Sequence, residues 1–421
     1  MRKYVKFLIV LTLVIVLASG LFAFSGCAKE KKAILILPGL MGSIYYTIVD
    51  GEKFAIWSGE SVEEFGSSLQ NMYLLKCDDN GEPLYDNVHV AGWDDKELWR
   101  YGANLKVAPG PGQKIGEGDV LKQLTLDLTE EYGDEYEVRV YQYDWRMDLR
   151  GLGEELENFI EEQGYTEVVL ITHSMGGMVA SHYLARSQEN IDKVKLFIPI
   201  ACPFLGSVEI YSYMESGGFP GFDDLQIGGL KLDPSEITGF GNTIVSVYQL
   251  FPHPELYESY PEGKSPLTVQ NTALSYEEAM NVLKTREWAQ KDNSPGIRPQ
   301  FNLIDESRSA LYDDEGVHAA LRANTFIIAT TGMNTRYIIN YTSGDIDGEY
   351  DNFNVVESEN KTISGDSVVP LYSAALGLVD NDGKPINDNV MIIDTDVYSH
   401  MYSPVMPEVK AKIMELVGGL N

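Results

Sequence analysis

The chain has 421 residues, enough to bury one large core or a core with an inserted subdomain. It carries 63 acidic against 32 basic side chains, a formal net charge of −31. That balance excludes a phosphate-reading surface of clustered Lys and Arg, so no nucleic-acid partner is expected, and it disfavours electrostatic adsorption to anionic lipid. The surplus of acid reads as a solubilising surface.

The amino terminus reads as a targeting segment. Arg2, Lys3 and Lys6 precede an apolar run from Phe7 to Phe24, and small residues then lead to Cys27. Residues 1–27 are expected to be a signal peptide, or an uncleaved anchor, because the apolar run is nearly long enough to span a bilayer. "FSGC" resembles the lipobox of bacterial lipoproteins, with Phe24 where Leu is usual, and that resemblance implies lipidation of Cys27. Both readings put the rest of the chain outside the cytoplasm, membrane-anchored or secreted. Cys77 and Cys202 either pair or remain free buried thiols, and their spacing leaves both open.

"AILIL" is a continuous apolar run that suits a strand buried on both faces, and it ends at Pro38-Gly39-Leu40-Met41-Gly42-Ser43. Residues 44–130 read as an irregular, aromatic insertion with Trp57, Trp93 and Trp99. "YEVRVYQYDW" predicts a strand. "GLGEELENFIEEQG" predicts a helix with Leu152, Leu156, Phe159 and Ile160 on one face and Gly164 as its stop. A strand at 168–171, the helix "MGGMVASHYLARS" and the strand "VKLFIPI" follow. Residues 205–322 lack a clear buried strand, too long a stretch for a loop, so a cap or lid is expected there. Phe219, Phe222, Leu225, Ile227, Leu230 and Phe240 are its apolar candidates for an acyl groove, or for the cap's own core. "TFIIATT", "NVMIIDT" and the helix "SPVMPEVKAKIMELV" close the chain. The alternation predicts an α/β fold with a mostly parallel sheet, its core divided into 33–204 and 323–421. Residues 344–352 and 380–385 faintly resemble calcium loops. Asp-Gly turns explain them more simply, and no metal or cofactor is expected.

The chemistry centres on "VVLITHSMGGMVA". A serine on a sharp strand-to-helix turn has its hydroxyl exposed at the carboxyl edge of the sheet, and small neighbours let strand and helix pass closely. Ser174 with Gly176 and Gly177 fits this nucleophile elbow, although Thr172 stands where glycine is usual. A serine needs a base, and the base needs a carboxylate, in the order Ser, acid, His. His400 lies between the final strand and the final helix, where a base loop belongs. His173 adjoins the nucleophile and is expected to point elsewhere, His182 sits too far along the helix, and His89, His253 and His318 are misplaced. Asp366 in "SGDSVVPLYS" is the candidate acid, since Asp394 and Asp396 are too near His400 to fold back on it. The backbone N–H groups of Leu40 and Met175 are the candidate oxyanion donors.

"LPGLMGS", "YDWR", "HSMGG", "CPFLGS" and "GDSVVP", followed by a terminal His before a helix, occur in the order of the lecithin:cholesterol acyltransferase family, which the chain resembles. The resemblance implies an α/β-hydrolase fold with a cap. It matches Ser174, Asp366 and His400 to the family's triad, and Leu40 and Met175 to its oxyanion hole. Cys202 stands where Thr is usual, and Ser367 and Val368 where Gly and Thr are usual. Asp144 and Arg146 in "YDWR" are expected to form an ion pair beneath the site, as structure or as substrate positioning. The implied activity is cleavage of lipid acyl esters, with acyl transfer to an alcohol as the alternative. A lipid-binding lipoprotein without catalysis is a third reading, opposed by the intact Ser, Asp and His.

Overall fold

Alternate residues of the first strand, β1 (Lys32–Leu37), feed two different cores. Ala33, Leu35 and Leu37 join one apolar cluster, and Ile34 and Ile36 join the other. The same division recurs at Val168 and Leu170 against Val169 and Ile171. A strand with both faces apolar must be covered on both, so helices lie on either side of the sheet. The structure, a computed structural model, describes residues 30–57, 71–92, 120–216, 226–227, 230–231, 240–292, 294–342, 353–357 and 364–420. The amino-terminal segment with Cys27, Trp93, Trp99, Phe219, Phe222, Leu225 and the loop 344–352 lie outside the described residues, as do the side chains of Ile227 and Leu230.

The central sheet has six strands. After β1 come β2 (Tyr136–Val140), β3 (Glu167–His173), β4 (Val194–Ile200), β5 (Ile327–Thr331) and β6 (Val390–Asp394). Their spatial order is β6-β5-β4-β3-β1-β2, and every pairing is parallel. One face is covered by α2 (Leu149–Gln163) and α3 (Met175–Arg186), the other by α1 (Val120–Tyr132) and α5 (Pro407–Gly418). α2 ends as expected, with Gly164 left-handed at φ 70°. At its start, Asp148 accepts a hydrogen bond from the Arg150 N–H. α2 and α3 approach closely because a side chain on Gly153 would lie 2.8 Å from the His182 backbone.

Two regions carry more structure than the sequence suggested. Within 44–130, strands Tyr45–Val49, Glu52–Trp57 and Val88–Val90 form an antiparallel sheet, and α1 packs Leu121, Leu124 and Leu128 under β2. Within 205–322, Leu267–Val269 is a buried strand. It pairs in parallel with Arg336–Tyr341, in a four-stranded sheet that draws on residues from both sides of position 322. A helix, α4 (Gln300–Ala310), also lies in this region. Phe240 is fully buried, edge to face with Trp145, and so belongs to the core. The turn at 380–385 is closed by its own backbone, and the Asp380 carboxylate accepts from the N–H groups of Asp382 and Lys384. No group of three or more metal-ligating side chains occurs among the described residues.

Candidate active site

β3 delivers the chain to its carboxyl edge at His173, and α3 begins at Met175. Ser174 between them has φ 53° and ψ −128°, a conformation that L-residues rarely adopt. Its N–H donates to the Ile200 carbonyl at the end of β4, 2.9 Å away, which pins the turn to the neighbouring strand. The glycines have separate jobs. A side chain on Gly176 would come within 2.7 Å of the carbonyl oxygens of Leu37 and Pro38. One on Gly177 would strike Cys202 at 2.4 Å and approach the Thr172 hydroxyl at 3.2 Å. Glycine at 177 therefore leaves room for both the Cys202 side chain and the Thr172 hydroxyl.

Ser174 Oγ lies 2.8 Å from His400 Nε2, and His400 Nδ1 lies 2.7 Å from Asp366 Oδ2. A carboxylate only accepts, so Nδ1 carries the ring proton and Nε2 presents a lone pair to the serine hydroxyl. Asp366 is fully buried, and its other oxygen accepts from the N–H groups of Val368 and Val369 at 3.0 and 2.8 Å. The three side chains named from the sequence therefore form one hydrogen-bonded row. Asp394 and Asp396 take no part in it. In the loop that supplies Asp366, Ser367 sits at φ 85°, the reason glycine suits that position.

The loop after β1 packs against this row. A side chain on Gly39 would meet Ser174 Cβ at 2.8 Å and Oγ at 3.3 Å, so only glycine leaves the hydroxyl uncovered. The loop is held at several points. Gly42 N–H donates to Gly39 C=O (3.0 Å), Tyr143 Oη–H to Pro38 C=O (2.5 Å) and Trp57 Nε1–H to Met41 C=O (2.8 Å). Ser43 Oγ accepts from the Tyr143 N–H, and Gln142 Oε1 from the Ile44 N–H. Leu40 lies within this braced turn. The N–H of Met175 opens α3, where no preceding helical turn supplies an acceptor.

Asp144 and Arg146 do pair, as a two-pronged bond of 2.8 and 2.7 Å. Tyr45 also donates to Asp144, the guanidinium reaches Leu75 C=O, and it lies over the Tyr45 ring. These contacts fasten the strand at 45–49 and the segment at 75 to the stretch that follows β2. Burial alone would lower the pKa of Arg146; the bond to Asp144, together with Tyr45 and Cys77 nearby, more than offsets it and the net shift is upward. Cys77 and Cys202 are both free and buried.

Sequence reasoning missed three residues here. Tyr143, within "YDWR", and Trp57, within the irregular insertion, were given no role of their own. His173, expected to point elsewhere, instead lies against His400, with ring centroids 4.9 Å apart and its Nε2 3.0 Å from the His400 carbonyl. Burial, followed by the neighbouring His400, pushes its pKa down to about 3.

Known proteins resemble this chain at two levels. Residues 119–294 match the family described as "Lecithin:cholesterol acyltransferase". "Phospholipase A(1) LCAT3" of Arabidopsis thaliana is 26% identical over 215 residues, 44% of this chain and 44% of that protein. The match thus spans less than half the length of that relative. A solved chain of the "Tle4-Tli4 complex" superposes with a TM-score of 0.54 at 15% identity, over 92% of this chain and 98% of that one, a likeness of fold. "Bacillus licheniformis lipase BlEst2 in mature form" is more distant, at a TM-score of 0.37 and 11% identity over 93% of this chain and 94% of that one. The parallel six-stranded sheet is that of an α/β-hydrolase fold, and within it residues 119–294 are similar to the lecithin:cholesterol acyltransferase family.

Proposed function

We propose that this chain is a serine hydrolase that cleaves acyl esters of lipids through an acyl-enzyme on Ser174. The observation that carries the reading is the row Ser174–His400–Asp366, with bonds of 2.8 and 2.7 Å. His400 Nε2 takes the hydroxyl proton as Oγ attacks the acyl carbon, and Asp366 steadies the imidazolium that results. The N–H groups of Leu40 and Met175 receive the developing oxyanion, each worth on the order of 3 kcal/mol of barrier. The carbon–oxygen bond to the leaving alcohol then breaks, and Nε2 returns its proton to that oxygen. Water repeats the sequence and frees the acid.

The lipid class of substrate is supported by the family match over residues 119–294 and by the plant relative, a phospholipase by name. The family's description also supports a second reading, in which an alcohol replaces water as acceptor on the same acyl-enzyme. A fluorophosphonate probe followed by mass spectrometry tests the nucleophile. The wild type is expected to gain one adduct on Ser174 and Ser174→Ala none. An unlabelled wild type, or equal labelling of both, sinks the assignment. Turnover of phospholipids with and without added long-chain alcohol then separates the two acceptors.

A further inference from the structure

We infer that His173 is a positioning residue that fixes the His400 backbone and so locks base to nucleophile; this rests on the acyl-transfer reading above. His173 Nε2 lies 3.0 Å from the His400 carbonyl oxygen. A carbonyl only accepts, so Nε2 carries the hydrogen and His173 is the donor. On the other side of the same residue, the His400 N–H donates to the Asp366 carbonyl at 2.6 Å. His400 is therefore gripped from both sides, by the neighbour of the nucleophile and by the acid.

The grip matters because of where His400 sits. The loop 395–399 leaves the sheet at Thr395, whose N–H bonds to Thr331 C=O at 2.8 Å, and His400 opens a short 3₁₀ segment, His400–Val405. Its imidazole must meet a hydroxyl 226 residues away in sequence at 2.8 Å. A displacement of about 1 Å at such a contact costs up to about 10²-fold in rate. His173 and Ser174 are consecutive, so the bond from His173 ties the base directly to the turn that holds the nucleophile.

The choice of histidine also has a reason. The two rings are in contact, with centroids 4.9 Å apart and planes at 39°. A cation at this place would oppose the imidazolium that forms on His400 during acyl transfer. A buried, neutral imidazole supplies the donor without the charge, consistent with the downward shift of its pKa to about 3. Lysine or arginine would supply both.

The test uses the full chain with His173→Phe and His173→Gln. Phenylalanine keeps ring volume and loses the donor; glutamine keeps an N–H of similar reach. The readouts are kcat and KM on a short p-nitrophenyl ester, the rate of fluorophosphonate labelling, and the histidine tautomer by 15N NMR. Loss of one such bond predicts a fall of about tenfold or more in kcat and labelling for His173→Phe, with KM nearly unchanged and most of the rate restored in His173→Gln. In the wild type His173 is expected as the neutral Nε2–H form from pH 5 to 8. A His173→Phe enzyme as fast as wild type, a folded His173→Gln enzyme as slow as His173→Phe, or an Nδ1–H tautomer overturns the inference. Absence of labelling in the wild type overturns the parent reading instead, and the tautomer still decides whether the bond exists.

Discussion

Tyr143 shows how a residue far from the reacting atoms can bear on them. Its hydroxyl is buried, which pushes its pKa well above that of free tyrosine, so it keeps the proton it donates at any working pH. It donates to the Pro38 carbonyl, two residues before Leu40. Tyr143→Phe keeps the ring and removes the donor, leaving the Pro38 carbonyl without this bond and the turn at Leu40, the proposed oxyanion donor, less constrained. We expect kcat to fall about tenfold while KM changes little, read by steady-state hydrolysis of a soluble ester. Ser174, Asp366 and His400 were legible in the sequence because the chemistry dictates their types and the fold dictates their order. Tyr143 and Trp57 were not, because their partners are backbone carbonyls, 105 and 16 residues away, that no pattern marks.

Among the elements, the strands and helices of the central layers were legible from period and from stop signals such as Gly164. α1 was passed over although Leu121, Leu124 and Leu128 have helical spacing, because it follows a long irregular stretch. The strand Leu267–Val269 has three residues, too few for periodicity to stand out, and it exists because Arg336–Tyr341 offers it an edge. The contact between α2 and α3 carries a prediction of its own. Gly153 faces the His182 and Tyr183 backbone, and an added methyl would sit 2.8 Å from both. Backbone cannot swing aside as a side chain can, so the helices must separate. Gly153→Ala is expected to destabilise by about 1–3 kcal/mol, despite the better helix propensity of alanine. A urea melt checks it, and an unchanged or raised midpoint refutes it.

At the scale of the whole molecule, His173, His182, His253 and His318 are all buried, and burial pushes each down to about 3. In the unfolded chain each titrates near 6.5. Above that pH both states are neutral at these sites and they contribute nothing. Between about 3 and 6.5 the unfolded chain takes up protons that the fold refuses, so stability falls as pH falls. One unit below 6.5 the cost is on the order of 1.4 kcal/mol per histidine, about 6 kcal/mol if all four act independently. Carboxylates held low by ion pairs, such as Asp148 with Arg150, add their own loss at still lower pH. Denaturation at pH 7.5, 6.5 and 5.5 should show a small drop, about 1 kcal/mol, over the first step and a larger one, about 4 kcal/mol, over the second. A flat profile to pH 5.5 would mean that these imidazoles titrate normally in the fold.

Sequence alone determined the sheet and singled out the serine, the aspartate and the histidine that the structure brings into one hydrogen-bonded row. Those rest on local signals: apolar runs with two buried faces, glycines at a strained turn, and a chain order set by topology. The tertiary structure alone decided the direction of the His173 ring, the bracing of the turn at Leu40 and the contacts that Asp144 and Arg146 make with Tyr45 and Leu75. Each depends on atoms brought together from distant parts of the chain, and hydrogen bonds of that kind leave no period and no motif in the sequence that makes them.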